Sequence, residues 1–348
     1  MSAAAADSYG IHRVLGPQRV LPQQAARLDA GLACQPTEIE IEVRQLHVDA
    51  SSLRQLRAAH SGNLEAVRNE LLALVRRRGK LHNPVTNSGG MLTGVVRAVG
   101  NAYQAPPPIG ARIASLASLS LTPLRLDELG AIDRRSNSVL ARGTAFLFQQ
   151  SPWAAMPDGI PESVALAAFD VAGAPARVHA RTAPGSRVLI VGAGNSGSLA
   201  AVAAATAGAA EVVVADIDDL RLRALATLGL GVIHPVHADA TDAIAFAAAI
   251  GEPADLTASC VDVPGAEAAC LLATRTSGHI LFFSMATDFA RAALCAEGVG
   301  SAATLEIGNG FLPGHADFVV ALLRAHPALW PLLSPAAEVA QGTAWPPA

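Results

Sequence analysis

The run VLIVGAGNSGSLAAVAA sets Gly192, Gly194 and Gly197 as G-x-G-x-x-G, directly after an apolar strand and at the opening of a small-residue helix. That spacing suits a dinucleotide. The first glycine permits the tight turn, the second lets backbone approach a pyrophosphate, and the third lets helix and strand pack closely. The exposed N–H groups of the helix start then face phosphate, with Asn195 and Ser196 beside them. Asp216 closes the next strand, EVVVAD, 216 − 192 = 24 residues after the first glycine. A carboxylate there can accept both adenosine ribose hydroxyls and repels a 2′-phosphate, so NAD is expected over NADP. Arg221 and Arg223, just beyond, are the residues that would argue for NADP. Ser284 and Met285, after the strand GHILFF, complete the expected cofactor contacts.

A second set of chemistry-bearing residues lies earlier. RGKLHNPVTNSGGMLTG (Arg78–Gly94) contains the only lysine of the chain, Lys80, followed by Asn83, Thr86, Asn87 and Ser88 and a Gly-Gly pair. It is too polar for a core strand and too broken for a helix, so it reads as a solvated loop or a pocket wall. Asp49 and Ser51 precede it. Two residues apart, they share one side if the backbone is extended. They serve proton transfer on one reading, and a turn and a helix cap on the other. His315 has a side chain suited to proton transfer near neutrality, or to capping the last helix.

The elements that position these residues fall into two textures. Before about residue 156, short strands and turns dominate. IEIEV (Ile39–Val43) alternates as a half-buried strand, and TGVVRAVG and GARIASLASLS flank the proline-rich loop NAYQAPPPI. Leu64–Arg78 has helical spacing, with Asn63 as N-cap and Gly79 as stop. Afterwards strand and helix alternate, which predicts a doubly wound parallel sheet. The expected division is 1–156, 157–310, and a segment 311–348 whose helix returns to the first domain. The fold class is α/β.

Bulk properties exclude several classes. The 348 residues carry net charge −4, which leaves no basic field for nucleic acid or anionic membrane. The chain is 51% hydrophobic but 4% aromatic, as expected for small-residue helices packed on a parallel sheet. Cys34, Cys260, Cys270 and Cys295 form no CxxC pair, and are expected as reduced thiols in a cytoplasmic protein. No stretch reads as a signal peptide or membrane span. The leader MSAAAADSYG and the tail PAAEVAQGTAWPPA are expected to be loosely ordered.

GVVRAVG (Gly94–Gly100), the following GARIASL and the placement of GAGNSG resemble the medium-chain dehydrogenase/reductase superfamily over nearly the whole chain. That resemblance implies a GroES-like β-rich catalytic domain, a Rossmann domain, an active site in the cleft between them and dimerisation through Rossmann edge strands, here TLEIGNG. Zinc-dependent members carry G-H-E-x-x-G before the strand. This chain has Gly90 at the zinc histidine, Met91 at the glutamate and Asp49 near the first zinc cysteine, so a zinc-free enzyme is expected.

A closer resemblance rests on YGIHRV, RGKLHNPVTNSGGML, LSLTPL, DVAGAPA, FFSMATDF, AALCAEGVG and IGNGFLPGHADF. These stretches look like the L-erythro-3,5-diaminohexanoate dehydrogenases. The resemblance implies NAD-dependent oxidative deamination of a β-amino group, with ammonia and NADH as products. Asp49, Ser51, Asp170 and His315 are then candidate catalytic residues. An acidic wall for two ammonium groups is expected from Asp49, Asp170, Glu297 and Asp317. Lys80, Asn83, Thr86, Asn87 and Ser88 are candidates to bind the substrate. Asn87 departs from the smaller residue expected in the family, which would alter the pocket without changing the reaction. The alternatives are a zinc-free reductase of enones, quinones or alcohols, and a non-catalytic nucleotide-binding protein.

Overall fold

The computed structural model describes residues 7–133 and 137–333. Most of the leader and all of the tail expected to be loose lie outside the described residues. Two compact units divide at Leu166/Ala167, somewhat later than the sequence boundary at 156.

In the first unit, β1 (Val14–Gly16) and β2 (Arg27–Leu28) form a small ladder. The main sheet is built from β3 (Glu38–Val48), β4 (Gly90–Val99), β5 (Arg112–Ser115), β6 (Leu124–Asp133), β7 (Ser138–Phe148) and β8 (Trp153–Ala155), in the order β6-β7-β3-β4-β5-β8. Neighbours run antiparallel throughout. Alternation explains the central strand up to Val43, and a register shift between Val43 and Gln45 changes its parity. Ile39, Ile41, Val43, Leu46 and Val48 of β3 all enter one apolar core with residues of β4, β6 and β7. The unit also carries the helices α1 (Ala50–Ala59) and α2 (Leu64–Arg78). Helix α2 behaves as its sequence requires. Asn63 accepts the amides of Glu65 and Ala66, Gly79 closes the helix, and Val67, Leu71, Leu74 and Val75 form its buried stripe.

A buried polar knot ties the N-terminal segment to β3. Arg13 and Glu38 are both fully buried and paired, and Arg13 also donates to the carbonyls of Asp29, Leu32 and Ala33 and lies over the Phe146 ring. His12 joins Glu38 to Asp7. Every charge in the knot has a partner, which is the condition for keeping such groups out of water.

Helix α3 (Glu162–Phe169) spans the division. The second unit runs α4 (Gly173–Arg181), β9 (Arg187–Val191), α5 (Asn195–Thr206), β10 (Glu211–Asp216), α6 (Asp219–Ala226), β11 (Ile233–His237), α7 (Ala243–Ile250), β12 (Ala254–Ser259), α8 (Glu267–Leu272), β13 (Thr274–Phe282), α9 (Phe289–Gly298), β14 (Thr304–Ile307), α10 (His315–Ala325) and α11 (Trp330–Leu333). Its sheet is parallel, in the order β11-β10-β9-β12-β13-β14, the doubly wound arrangement. Val188–Val191 are buried, as expected for a strand covered on both faces. Alanine dominates α5, whose residues 197–204 are all buried, so this helix lies close on the sheet. Pro235 is tolerated because β11 is an edge strand.

The last helices differ from expectation. Helix α10 packs on α4, and α11 packs on α5 and α6, all within the second unit. The physical reason is the apolar face of Val319, Leu322 and Leu323, which is buried here beside small-residue helices. Among the described residues no single helix is long and apolar enough to cross a membrane. All four cysteines are free thiols.

Candidate active site

The nucleotide site belongs to the second unit. β9 ends at Gly192, whose φ of 106° is open to glycine, and α5 begins at Asn195 with Gly194 as a cap that has no side chain to offer. A side chain at Gly197 would overlap the Gly192 carbonyl, and a Cβ at Gly194 would stand 2.9 Å from Arg221 Nη1. Ser196 Oγ is buried without a hydrogen-bond partner. A bare helix start, a glycine cradle, an orphan hydroxyl and an adjacent guanidinium are the donor set a pyrophosphate requires, so the residues present fit a dinucleotide.

Asp216 stands where the sequence places it, at the end of β10. Its Oδ2 accepts the Ala193 amide at 2.6 Å and its Oδ1 accepts the Asp218 amide at 2.9 Å. Capping of α6 falls instead to Asp218, which accepts Leu220 and Arg221 amides. Asp216 is thus free of helix-cap duty and buttresses the glycine turn. Cys260 and Val261, after β12, line the other flank of Gly192, and burial pushes the Cys260 thiol up to about 11. Ser284 follows β13 and accepts the Ala286 amide, while Met285 is 87% exposed. Both lie at the carboxyl ends of the parallel strands, the side where such sheets take ligands. Sequence reasoning missed the contacts of Arg221 with Gly194 and of Cys260 with Gly192, which no local spacing shows.

The second cluster lies in the first unit. Asp49 is the N-cap of α1, so the chain turns into a helix where an extended backbone was expected. Ser51 still meets Asp49, because a cap carboxylate faces the first-turn amides. Asp49 Oδ1 accepts Ser51 N at 2.9 Å, Ser52 N at 3.3 Å, Ser51 Oγ at 2.5 Å and Ser88 Oγ at 3.0 Å. Ser52 Oγ contacts Thr86 Oγ1 and Ser88 Oγ, each at 2.6 Å, and Thr86 lies 2.9 Å from Ser88. The structure therefore brings Asp49, Ser51, Thr86 and Ser88 together and adds Ser52. That buried serine was hidden in the sequence as one more residue of a helical turn.

The loop carrying Thr86 and Ser88 is shaped by Asn83. Its amide donates to the Ser88 carbonyl, its own carbonyl accepts from Asn87, and its side chain accepts the Val85 amide and donates to Gln55. Asn83 is 3% exposed, and its work is to fold the loop. Asn87 is exposed at φ 54°, a conformation asparagine tolerates. The Gly-Gly pair approaches protein and not ligand. Gly89 packs on the Leu81 carbonyl and Gly90 on the His47 carbonyl, so neither leaves space for a side chain.

Lys80 is fully buried and donates to the carbonyls of Pro22 at 2.7 Å and Gln23 at 2.9 Å. Burial, with help from the Arg78 charge, pushes its pKa down to about 8. Two of its donors serve the 22–23 turn, and the expected place for Lys80 on the pocket wall is corrected accordingly. The remaining candidates belong to the second unit. Asp170 is half-buried in the break between α3 and α4, and Glu297 and Asp317 are exposed on α9 and α10. His315, 2% exposed, begins α10 edge-on to Phe311, with ring centroids 5.2 Å apart. Burial pushes its pKa down, partly offset by a bond to the Leu312 carbonyl. Among the described residues no three His, Cys, Asp or Glu side chains form a group that could hold a metal.

Comparisons with known proteins agree with this architecture. A family profile described as L-erythro-3,5-diaminohexanoate dehydrogenase N-terminal domain matches residues 12–157, and one described as alanine dehydrogenase/PNT, C-terminal domain matches residues 174–286. The L-erythro-3,5-diaminohexanoate dehydrogenase of Fusobacterium nucleatum subsp. nucleatum is 39% identical over 325 residues, covering 91% of this chain and 94% of the relative. That of Acetoanaerobium sticklandii is 37% identical over the same shares. Among solved structures, the alcohol dehydrogenase TADH from Thermus sp. ATN1 superposes with a TM-score of 0.54 at 17% identity, covering 91% of this chain and 92% of that one. CurK enoyl reductase gives 0.54 at 15% identity, covering 92% and 86%. These likenesses show the shared fold, a GroES-like unit and a Rossmann unit. With a dinucleotide turn in one unit and sequence identity that runs through both, the chain belongs to the L-erythro-3,5-diaminohexanoate dehydrogenase family of nicotinamide-dependent oxidoreductases.

Proposed function

We propose that this protein oxidises L-erythro-3,5-diaminohexanoate at C3 with NAD, giving 5-amino-3-oxohexanoate. The balance is one substrate ammonium, NAD⁺ and water converted to ketone, ammonium ion, NADH and one proton. The nicotinamide, when bound, accepts the hydride that leaves C3. The protein's residues must supply the rest. An ammonium carbon is a poor hydride donor, so the C3 nitrogen must first lose a proton to a base. After hydride loss, the iminium carbon takes up water, and a base must accept a proton from that water before ammonia departs.

Asp49 is assigned as that base. The observation that carries this is the asymmetry of its carboxylate. Oδ1 takes all four of the donors described above, which leaves Oδ2 for an ammonium or a water. Thr86 and Ser88 beside it are assigned to the substrate pocket. Asp216 is assigned to the adenosine ribose, with NAD preferred because the carboxylate repels a 2′-phosphate. The free edge of β14 is assigned to homodimer contact.

The test is an assay of the purified protein with NAD⁺ and L-erythro-3,5-diaminohexanoate, other β-amino acids, secondary alcohols and simple enones. NADH and ammonia should appear in equal amounts with the diamino acid. Turnover confined to alcohols or enones would overturn the proposal.

A further inference from the structure

We propose that Ser52 and Thr86 are positioning residues for Asp49, acting through Ser88. The inference rests on the assignment of Asp49 as the base. Ser52, Thr86 and Ser88 form a triangle of hydroxyls with sides of 2.6, 2.6 and 2.9 Å. Each hydroxyl owns one proton. An ionised carboxylate can only accept, so the proton of Ser88 goes to Asp49 Oδ1 at 3.0 Å. Ser88 must then accept within the triangle. The protons of Ser52 and Thr86 remain for the two short sides, which sets the direction Thr86 to Ser52 to Ser88 to Asp49.

Every dipole in that chain points toward the carboxylate, and hydrogen bonds in series polarise one another. Asp49 Oδ1 is thereby held from two directions. The α1 amides and Ser51 hold it from the helix, and the hydroxyl chain holds it from the loop. Holding one oxygen from both sides stops the carboxyl group rotating, so the direction of Oδ2 is set. Ser52 is the hub. It is 2% exposed, out of reach of solvent, and it joins α1 to the 83–88 loop. A buried serine on a helix has no packing reason to meet two further hydroxyls at 2.6 Å.

The test compares Ser52→Ala, Thr86→Val, Thr86→Ser and Asp49→Asn in the full-length protein, with L-erythro-3,5-diaminohexanoate and NAD⁺ as substrates. Kinetics and thermal melting are measured for each. Misaiming a catalytic group by a fraction of an ångström should lower kcat about tenfold in Ser52→Ala and Thr86→Val. The KM for NAD⁺ and the melting temperature should stay near wild type, and Thr86→Ser should restore kcat to within about twofold, because it keeps the hydroxyl. Should Ser52→Ala fold poorly, the Thr86→Val and Thr86→Ser pair decides. Wild-type kcat in Thr86→Val, with Asp49→Asn inactive, overturns the positioning chain alone. Wild-type kcat in Asp49→Asn overturns the assignment of the base, and the chain with it.

Discussion

Replacing Asp216 by alanine separates the turn-holding role its carboxylate performs from the ribose-binding role proposed for it. Its oxygens accept the Ala193 and Asp218 amides, while a carboxylate offers about four lone-pair sites, so two remain for the ribose hydroxyls. Hydrogen bonds to a charged acceptor contribute about 1.5–3 kcal/mol each, and exposure of the site reduces the pair to about 2–3 kcal/mol in total. NADH should therefore bind roughly 30- to 150-fold more weakly. A 2′-phosphate of nearly two negative charges, about 5 Å from the carboxylate, is repelled by about 1.5–2 kcal/mol even at the dielectric of water. Lifting that repulsion favours NADPH by roughly tenfold or more, and the 2′-hydroxyl bond that only NADH loses adds a further several-fold, so the NADH/NADPH preference should fall about a hundredfold. Fluorescence titration of each dinucleotide at low and high salt measures this, and added salt should shrink the NADPH component. The Asp216→Asn variant, which keeps one acceptor for the turn, controls for collapse of the glycine loop. A preference unchanged within about twofold in both variants would refute the reasoning and leave Asp216 as a buttress only.

Asp49→Asn should lower kcat by about a hundredfold or more with NADH affinity unchanged, read by steady-state kinetics and dinucleotide titration. Elemental analysis of the purified enzyme should find zinc well below one per chain, with activity surviving chelation, because Gly90 and Met91 offer no zinc ligand. Glu38→Gln should destabilise the first unit by about 3–5 kcal/mol in urea melts, since it leaves fully buried Arg13 without its counter-charge. Stability should also depend on pH in two windows. Burial pushes Glu38 up, but its bonds from Arg13 and His12 outweigh that and hold it below 4.5, so its contribution is present above that value and is lost as pH falls through the lowered one. Burial pulls His12 down, but bonds to Glu38 and Asp7 outweigh this and raise it above 6.5, so its contribution is full below 6.5 and is lost as pH rises through the raised value. Wild-type urea midpoints that are flat across both windows would contradict the knot.

Much of this architecture was legible along the chain because it depends on neighbours in sequence. Alternation announced β3, Asn63 and Gly79 bracketed α2, and the unbroken apolar run before Gly192 announced a strand covered on both faces. The dinucleotide turn is local by nature, since its glycines, its helix start and Asp216 lie on consecutive elements of one sheet. Family resemblance carried the reaction, which no periodicity could.

What lay beyond the sequence is long-range. Lys80 and Asn83 have the same donors as a substrate-binding pair, and only the fold shows that one is spent on carbonyls 57 and 58 residues away and the other on shaping its own loop. The last helices look alike whichever unit they join, and packing on α4, α5 and α6 decided it. Asp49 illustrates both halves. Its residue type left a turn or a proton-transfer role open, and the helix that follows it made it the N-cap of α1, because a short acid meeting free amides caps them locally. Its long-range hydroxyl partner, Ser88, arrives from a loop 39 residues on, and that meeting is decided by the closure of the first unit's sheet, which spacing along the chain does not encode.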